Sequence, residues 1–128
     1  MTQGVCEYFK VAGQDPTAPY SSAAQCNNLV WTCGQLGIDA DGMLGESFAQ
    51  QVDLAFDNLE TALKAGGADL STIIKISAFV LDINQLDAFN EVYKKRINLE
   101  NPPVRTTVQI AAFQKDILIE IDAVAYTK

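Results

Sequence analysis

The chain has 128 residues, 48 % of them hydrophobic and 20 % charged, enough for one domain with its own core. A formal net charge of -7 repels phosphate backbones, and no basic stripe with interleaved aromatics offsets it, so nucleic acid is an unfavoured partner. There is no histidine, which excludes Ser-His-Asp triads, Cys-His dyads and histidine-based zinc sites within the chain.

Residues 1–7 carry neither a charged n-region nor an apolar h-region, and no apolar run approaches the about 18 residues of a membrane span. A cytoplasmic setting away from membranes is expected. Cys6, Cys26 and Cys33 are odd in number and lack CxxC spacing, which argues against a disulfide framework and fits a reducing compartment. Residues 5–11 read as a short first strand. Gly13, Pro16 and Pro19 break the loop that follows and delivers Tyr20. Residues 20–25 enter a second strand, Asn27-Asn28 forms a turn, and residues 29–33 make a third strand ending at Gly34-Gln35. Asp41-Gly42 signals a tight turn.

Ser47 and Gln50 have capping-box spacing and open a long helix. Phe48, Val52, Ala55, Phe56, Leu59, Ala62 and Leu63 form its apolar stripe, and Gly66-Gly67 ends it. Residues 72–81 make a nearly continuous apolar strand, with Ile74, Ile76, Ala78 and Val80 on one face and Ile73, Lys75, Ser77, Phe79 and Leu81 on the other. A second helix starts near Asn84 and buries Leu86, Phe89, Tyr93 and Ile97. Lys94, Lys95 and Arg96 complement its C-terminal dipole, and Pro102-Pro103 stops it.

The last two strands, residues 104–110 and 117–126, are rich in β-branched residues and separated by Gln114-Lys115-Asp116. Ile117, Ile119, Ile121, Ala123 and Ala125 share one face of the second. Arg105 and Glu120 each project opposite a greasier face. Joined as a hairpin, the strands would bring this guanidinium and carboxylate onto one mixed surface, either as an exposed ion pair or as a ligand site. The order β, β, β, α, β, α, β, β lets two helices cover one face of a sheet. The other face, with Ile73, Phe79, Leu81, Ala111, Leu118 and Val124, is then left for self-association, with Arg105 and Glu120 at or near a subunit interface.

Five pieces, Ala18-Pro19-Tyr20-Ser21, Thr32-Cys33-Gly34-Gln35, Gln51 to Gly67, Asn90-Glu91-Val92-Tyr93, and Pro103-Val104-Arg105-Thr106-Thr107 with Ile119-Glu120-Ile121-Asp122-Ala123-Val124-Ala125, occur in an order that resembles the reactive-intermediate deaminases, the RidA or YjgF family. The resemblance runs from about Gly13 to Tyr126. It implies an α+β, chorismate-mutase-like (bacillus type) fold: a single sheet of about six strands with two helices packed on one face. It also implies a homotrimer with clefts between subunits, and hydrolysis of imine and enamine acids such as 2-aminoacrylate to 2-keto acids and ammonia, without metal or organic cofactor. By position, Arg105 holds the substrate carboxylate and Glu120 positions or activates water. Tyr20 reaches into the cleft from the adjacent subunit, and Thr107, Cys33 and Gly34 complete the substrate contacts, Thr107 through its backbone. Cys33 departs from the family's usual serine, Thr107 from a frequent cysteine, and Phe113-Gln114 from a frequent Leu-Pro. Cys33 keeps open a second role, a trimer that binds or senses small 2-keto acids with little turnover. Burial would raise the Glu120 pKa and Arg105 would oppose it; the sequence leaves the balance open.

Overall fold

The computed structural model describes residues 5–128; Met1 to Gly4 lie outside it, so the reading of residues 1–4 is untested. In chain order the strands are β1 (Cys6–Phe9), β2 (Ala23–Cys26), β3 (Leu29–Thr32), β4 (Gln35–Leu36), β5 (Ile73–Val80), β6 (Val104–Gln109) and β7 (Ile119–Tyr126). The helices are α1 (Phe48–Ala65) and α2 (Leu86–Arg96); one 3-10 turn leads into β5 and another into α2. The fold is α+β, with one sheet in the order β1-β2-β3-β7-β5-β6 and the short β4 also paired to β7. β4 is the element beyond those expected; Gly34-Gln35 ends β3 but starts a new pairing with β7.

Helix α1 begins and ends where local chemistry requires. The Ser47 hydroxyl accepts from Gln50 N at 3.1 Å, and Gln50 Oε1 accepts from Ser47 N at the same distance. At the other end Ala68 N donates to Leu63 O and Gly67 N to Lys64 O, with Gly67 at φ 90°, a value glycine adopts at no steric cost. The helix stripe of Val52, Ala55, Phe56, Leu59 and Leu63 packs with Ile119, Ile121 and Ala125 of β7, Ile76, Ala78 and Val80 of β5, and Phe89 of α2. Burying side chains of this size contributes about 1.5–3 kcal/mol each, so this one layer supplies most of the driving force. A bulge between Ile73 and Lys75 alters the expected alternation in β5: Ile73 is buried and Ile74 is exposed.

Three expectations are corrected. The β6–β7 hairpin does not form. β5 lies between the two strands, parallel to β6 and antiparallel to β7, because α2 carries the chain back along the sheet before β6 begins. Arg105 and Glu120 therefore do not share a surface. Register aligns Arg105 with Ile76 and Ala123 on the helix side, and Glu120 with Phe79 and Val108 on the opposite side. Finally, the cysteines are not all free. Antiparallel pairing sets Cys6 opposite Cys26 with Cα atoms 4.3 Å apart, and the two are joined as a disulfide. A spacing of 20 residues hid this pair, since the hairpin loop between the strands brings distant positions into register. The cysteine argument for a reducing compartment falls with it.

The helix-free face carries Tyr8, Trp31, Leu81, Val104, Val108 and Tyr126, all exposed. Register sets Tyr8, Ala24, Trp31, Val124, Lys75 and Val104 in one line across it. No helix among the described residues is long and apolar enough to cross a membrane.

Candidate functional site

The six candidate residues fall into two groups on opposite sides of the sheet. Tyr20, Cys33, Gly34 and Glu120 form the first. The loop between β1 and β2 is tied down by Lys10, whose ammonium donates to Pro16 O (2.9 Å) and Ala18 O (2.7 Å), and by Gln14, whose amide donates to Tyr20 O (2.8 Å). Ser22 O accepts from Cys33 N at 3.0 Å, which anchors the loop beside the end of β3. The Tyr20 side chain nevertheless remains 59 % exposed, so it is not an aromatic packed on its own subunit. It lines a concavity of about 400 Å³ with Tyr8, Ser21, Ala24, Trp31 and Cys33.

Glu120 sits on Gly34. A Cβ built at Gly34 would lie 2.5 Å from both Cδ and Oε2 of Glu120 and 2.9 Å from its Cγ, so only glycine leaves room for the carboxylate in this position. Burial first, then the neighbouring Asp122 charge, pushes the Glu120 pKa above the ordinary carboxylate range. Arg105 does not oppose the shift, because it is on the other face. Asp122 is also pushed up by burial, against the pull of Ser77 and Lys75. Burial, reinforced by Glu120, pushes the Cys33 thiol up as well, so Cys33 is held as a neutral thiol. Its sulfur accepts from Gln35 Nε2 at 3.3 Å.

Arg105 and Thr107 form the second group, on β6 at the edge of the sheet. The guanidinium carbon of Arg105 lies 4.7 Å from the Tyr93 ring centroid and 5.3 Å from that of Phe89, and Nη1 donates to Asn90 Oδ1 at 2.8 Å. Phe89 and Tyr93 are one helical turn apart on α2 and face the sheet, which puts Asn90 within reach. Arg105 has no carboxylate partner among the described residues, whereas the chain's other arginine, Arg96, pairs with both Asp53 and Asp57 at 2.6 Å. The exposed ion-pair alternative for Arg105 and Glu120 is therefore excluded within one copy. Among the described residues Thr107 Oγ1 is buried without a hydrogen-bond partner, and β6 has a neighbour only in β5, which leaves its outer edge unpaired by them.

Asn90 and Asp122 are additions to the candidate set. Both lie within the quoted motif segments, but nothing local marks their orientation: Asn90 acts through a strand 15 residues away in sequence. A second concavity, of about 470 Å³, between α1 and α2 is lined by Glu60, Asp69, Lys95 and Asn98 among others and contains none of the candidates.

Comparison with known proteins matches residues 12–127 to the family described as endoribonuclease L-PSP. A Drosophila melanogaster protein, RutC family protein UK114, is 37 % identical over 114 residues, covering 88 % of this chain and 82 % of that one. Human 2-iminobutanoate/2-iminopropanoate deaminase is 34 % identical over 109 residues, covering 84 % and 79 % respectively. Among solved structures, RidA from an Antarctic Psychrobacter superposes with a TM-score of 0.86 at 29 % identity, covering 94 % of this chain and 98 % of the other.

Proposed function

Since the chain belongs to the endoribonuclease L-PSP family, the RidA/YjgF group, we propose that it is an imine deaminase that hydrolyses 2-imino and enamine acids to 2-keto acids and ammonia. One observation carries the reading: among the described residues Arg105 has no carboxylate partner, and it is held in place by Asn90 and two rings. A guanidinium fixed in this way keeps donors free for a ligand carboxylate and loses little entropy on binding it.

The two groups of candidates become one site only when a second copy supplies the missing half. We therefore propose a homotrimer in which the helix-free faces meet, with Arg105 of one copy opposite Glu120 and Tyr20 of the next. The exposed aromatic and aliphatic residues of that face support it. Arg105 anchors the carboxylate and backbone groups on the open edge of β6 near Thr107 receive the imine nitrogen. On the protonated imine, ionised Glu120 takes a proton from water as the water oxygen bonds to the C=N carbon and the C=N electron pair returns to nitrogen, giving the neutral carbinolamine. Its raised pKa lets it return that proton to the amino nitrogen; the C–N bond then breaks, the hydroxyl proton passes to solvent, and the keto acid and ammonia leave. Cys33, a neutral thiol, is a wall of the cleft and not its nucleophile. With a net charge of -7, a nuclease role has no support in the charge balance.

The alternative, a binding module for 2-keto acids, draws on the same Arg105 and on Cys33. A coupled assay separates the two. An amino-acid oxidase generates the imine in the presence of semicarbazide, and semicarbazone formation is followed. Wild-type protein is expected to divert imine to keto acid, and Arg105→Ala is not. Keto-acid binding by wild type with no diversion of any imine tried would establish the binding module instead.

A further inference from the structure

The Cys6–Cys26 disulfide has no part in the proposed chemistry, yet it closes the segment that carries Tyr20. Among the described residues β1 is four residues long, stands at the edge of the sheet and pairs only with β2. Cys6, Glu7 and Tyr8 are exposed, and Phe9 alone reaches the core. Four edge residues, three of them exposed, hold poorly by backbone pairing alone. The loop from Lys10 to Ser22 depends on that pairing: Ser22 N donates to Phe9 O at 2.7 Å, Val11 N donates to Ser22 Oγ at 3.1 Å, and Lys10 reaches back to Pro16 and Ala18. The disulfide lies at the far end of the same hairpin, so β1 is clamped at one end by the covalent bond and at the other by the loop.

We propose that Cys6–Cys26 is a thiol–disulfide exchange site whose reduction releases β1 and loosens the Tyr20 loop, so that the redox state of the surroundings sets the order of one wall of the cleft. Cys6 is an exposed residue on the outermost strand of the sheet, which leaves the bond open to attack from the sheet edge. A dithiol reductant attacks as its thiolate, breaks the S–S bond and forms a mixed disulfide. Its second thiol then displaces the protein sulfur. Two electrons and two protons pass to the cysteine pair, which becomes two thiols, and the reductant leaves as its own disulfide. Cys33 stands apart: it is half-buried, held neutral and bonded to Gln35, so it is not the resolving thiol. Removing the cross-link restores the conformational freedom it denied to the opened segment, which raises the open population by on the order of tenfold or more.

Amide hydrogen exchange of the full chain tests this in four samples: oxidised, treated with a dithiol, and the double variant Cys6→Ser with Cys26→Ser in each buffer. Thiol titration in denaturant accompanies it. The expected result is one thiol before reduction and three after, with exchange in residues 7–26 on the order of tenfold faster in the reduced protein and in the double variant, and α1 unchanged in all four. Three thiols in protein exposed to oxidant, or equal exchange in residues 7–26 across the four samples, overturns the proposal. Any effect on turnover rests on the role given to Tyr20 above. If the exchange pattern holds and no imine is diverted by either form, the deaminase reading fails and the exchange site stands.

Discussion

Arg105 and Glu120 project from opposite faces of one sheet, with Arg105 aligned to Ile76 and Ala123 under α2 and Glu120 aligned to Phe79 and Val108 on the helix-free side. If both act on one substrate, each cleft takes them from different copies. Arg105→Ala and Glu120→Gln are each expected to lower kcat/KM by about a hundredfold or more. Assembled together from a denatured equal mixture, they are expected to recover roughly one quarter of wild-type activity, because that fraction of clefts receives both intact residues. No recovery in a mixture shown by mass to contain mixed trimers would mean that a single copy supplies both.

Gly34→Ala tests the seat of the Glu120 carboxylate. The new methyl group would lie 2.5 Å from Glu120 Cδ and Oε2, atoms at the free end of a flexible side chain. The side chain swings aside at little cost to the fold, so the urea midpoint is expected to move by less than about 1 kcal/mol equivalent. A displaced base is costly for chemistry, and kcat/KM should fall by about a hundredfold. Full activity in the Gly34→Ala variant would remove Glu120 from the mechanism or show that its position is immaterial.

Burial raises the pKa values of Glu120 and Asp122 in the folded chain. The folded state then binds protons more tightly than the unfolded state does. The stability each group contributes is fully present below its unfolded pKa and is lost as pH rises through the folded value. Replacing Glu120 with Gln removes that loss. The stability of Glu120→Gln relative to wild type is therefore expected to grow from about pH 4 to pH 7 in paired urea titrations. Asp69, held at about 2 by Ser71 and Lys128, has the opposite sign and cancels in the difference. A difference that shrinks with rising pH would mean that the Glu120 carboxylate is better stabilised when folded than when unfolded.

Gln51 is a buried polar residue of α1 that fixes the approach to β7. Its amide donates to Asp116 O at 2.9 Å and Gly45 O at 3.2 Å, and its oxygen accepts from Leu118 N at 2.9 Å. Gln51→Leu keeps the volume but orphans these backbone groups, and is expected to cost roughly 2–4 kcal/mol by chemical denaturation. A loss under about 1 kcal/mol would mean that water reaches them. The strand carrying Glu120 starts immediately after this contact, so activity is expected to fall along with stability.

Much of the molecule was legible because it is local. The Ser47–Gln50 box, the apolar stripe of α1, the Gly66-Gly67 stop and the alternation of Ile119, Ile121, Ala123 and Ala125 each depend on residues within a few positions, whose spacing fixes their geometry. The motif segments also led to the family, and so to the right fold and to Arg105, Glu120 and Tyr20 as residues worth following. Alternation within a strand states which residues share a face. It does not state which face meets the helices, nor which strand lies alongside. For β6 the greasier set, Val104 and Val108, turns away from the helices, while Arg105 and Thr107 turn under α2. Insertion of β5 between β6 and β7, the cross-strand meeting of Cys6 and Cys26, the seat of Glu120 on Gly34 and the hold of Asn90 on Arg105 all join residues far apart in sequence. Packing of the whole sheet decides those, because the free energy that selects a strand order comes from the summed burial of both helices and has no local signature.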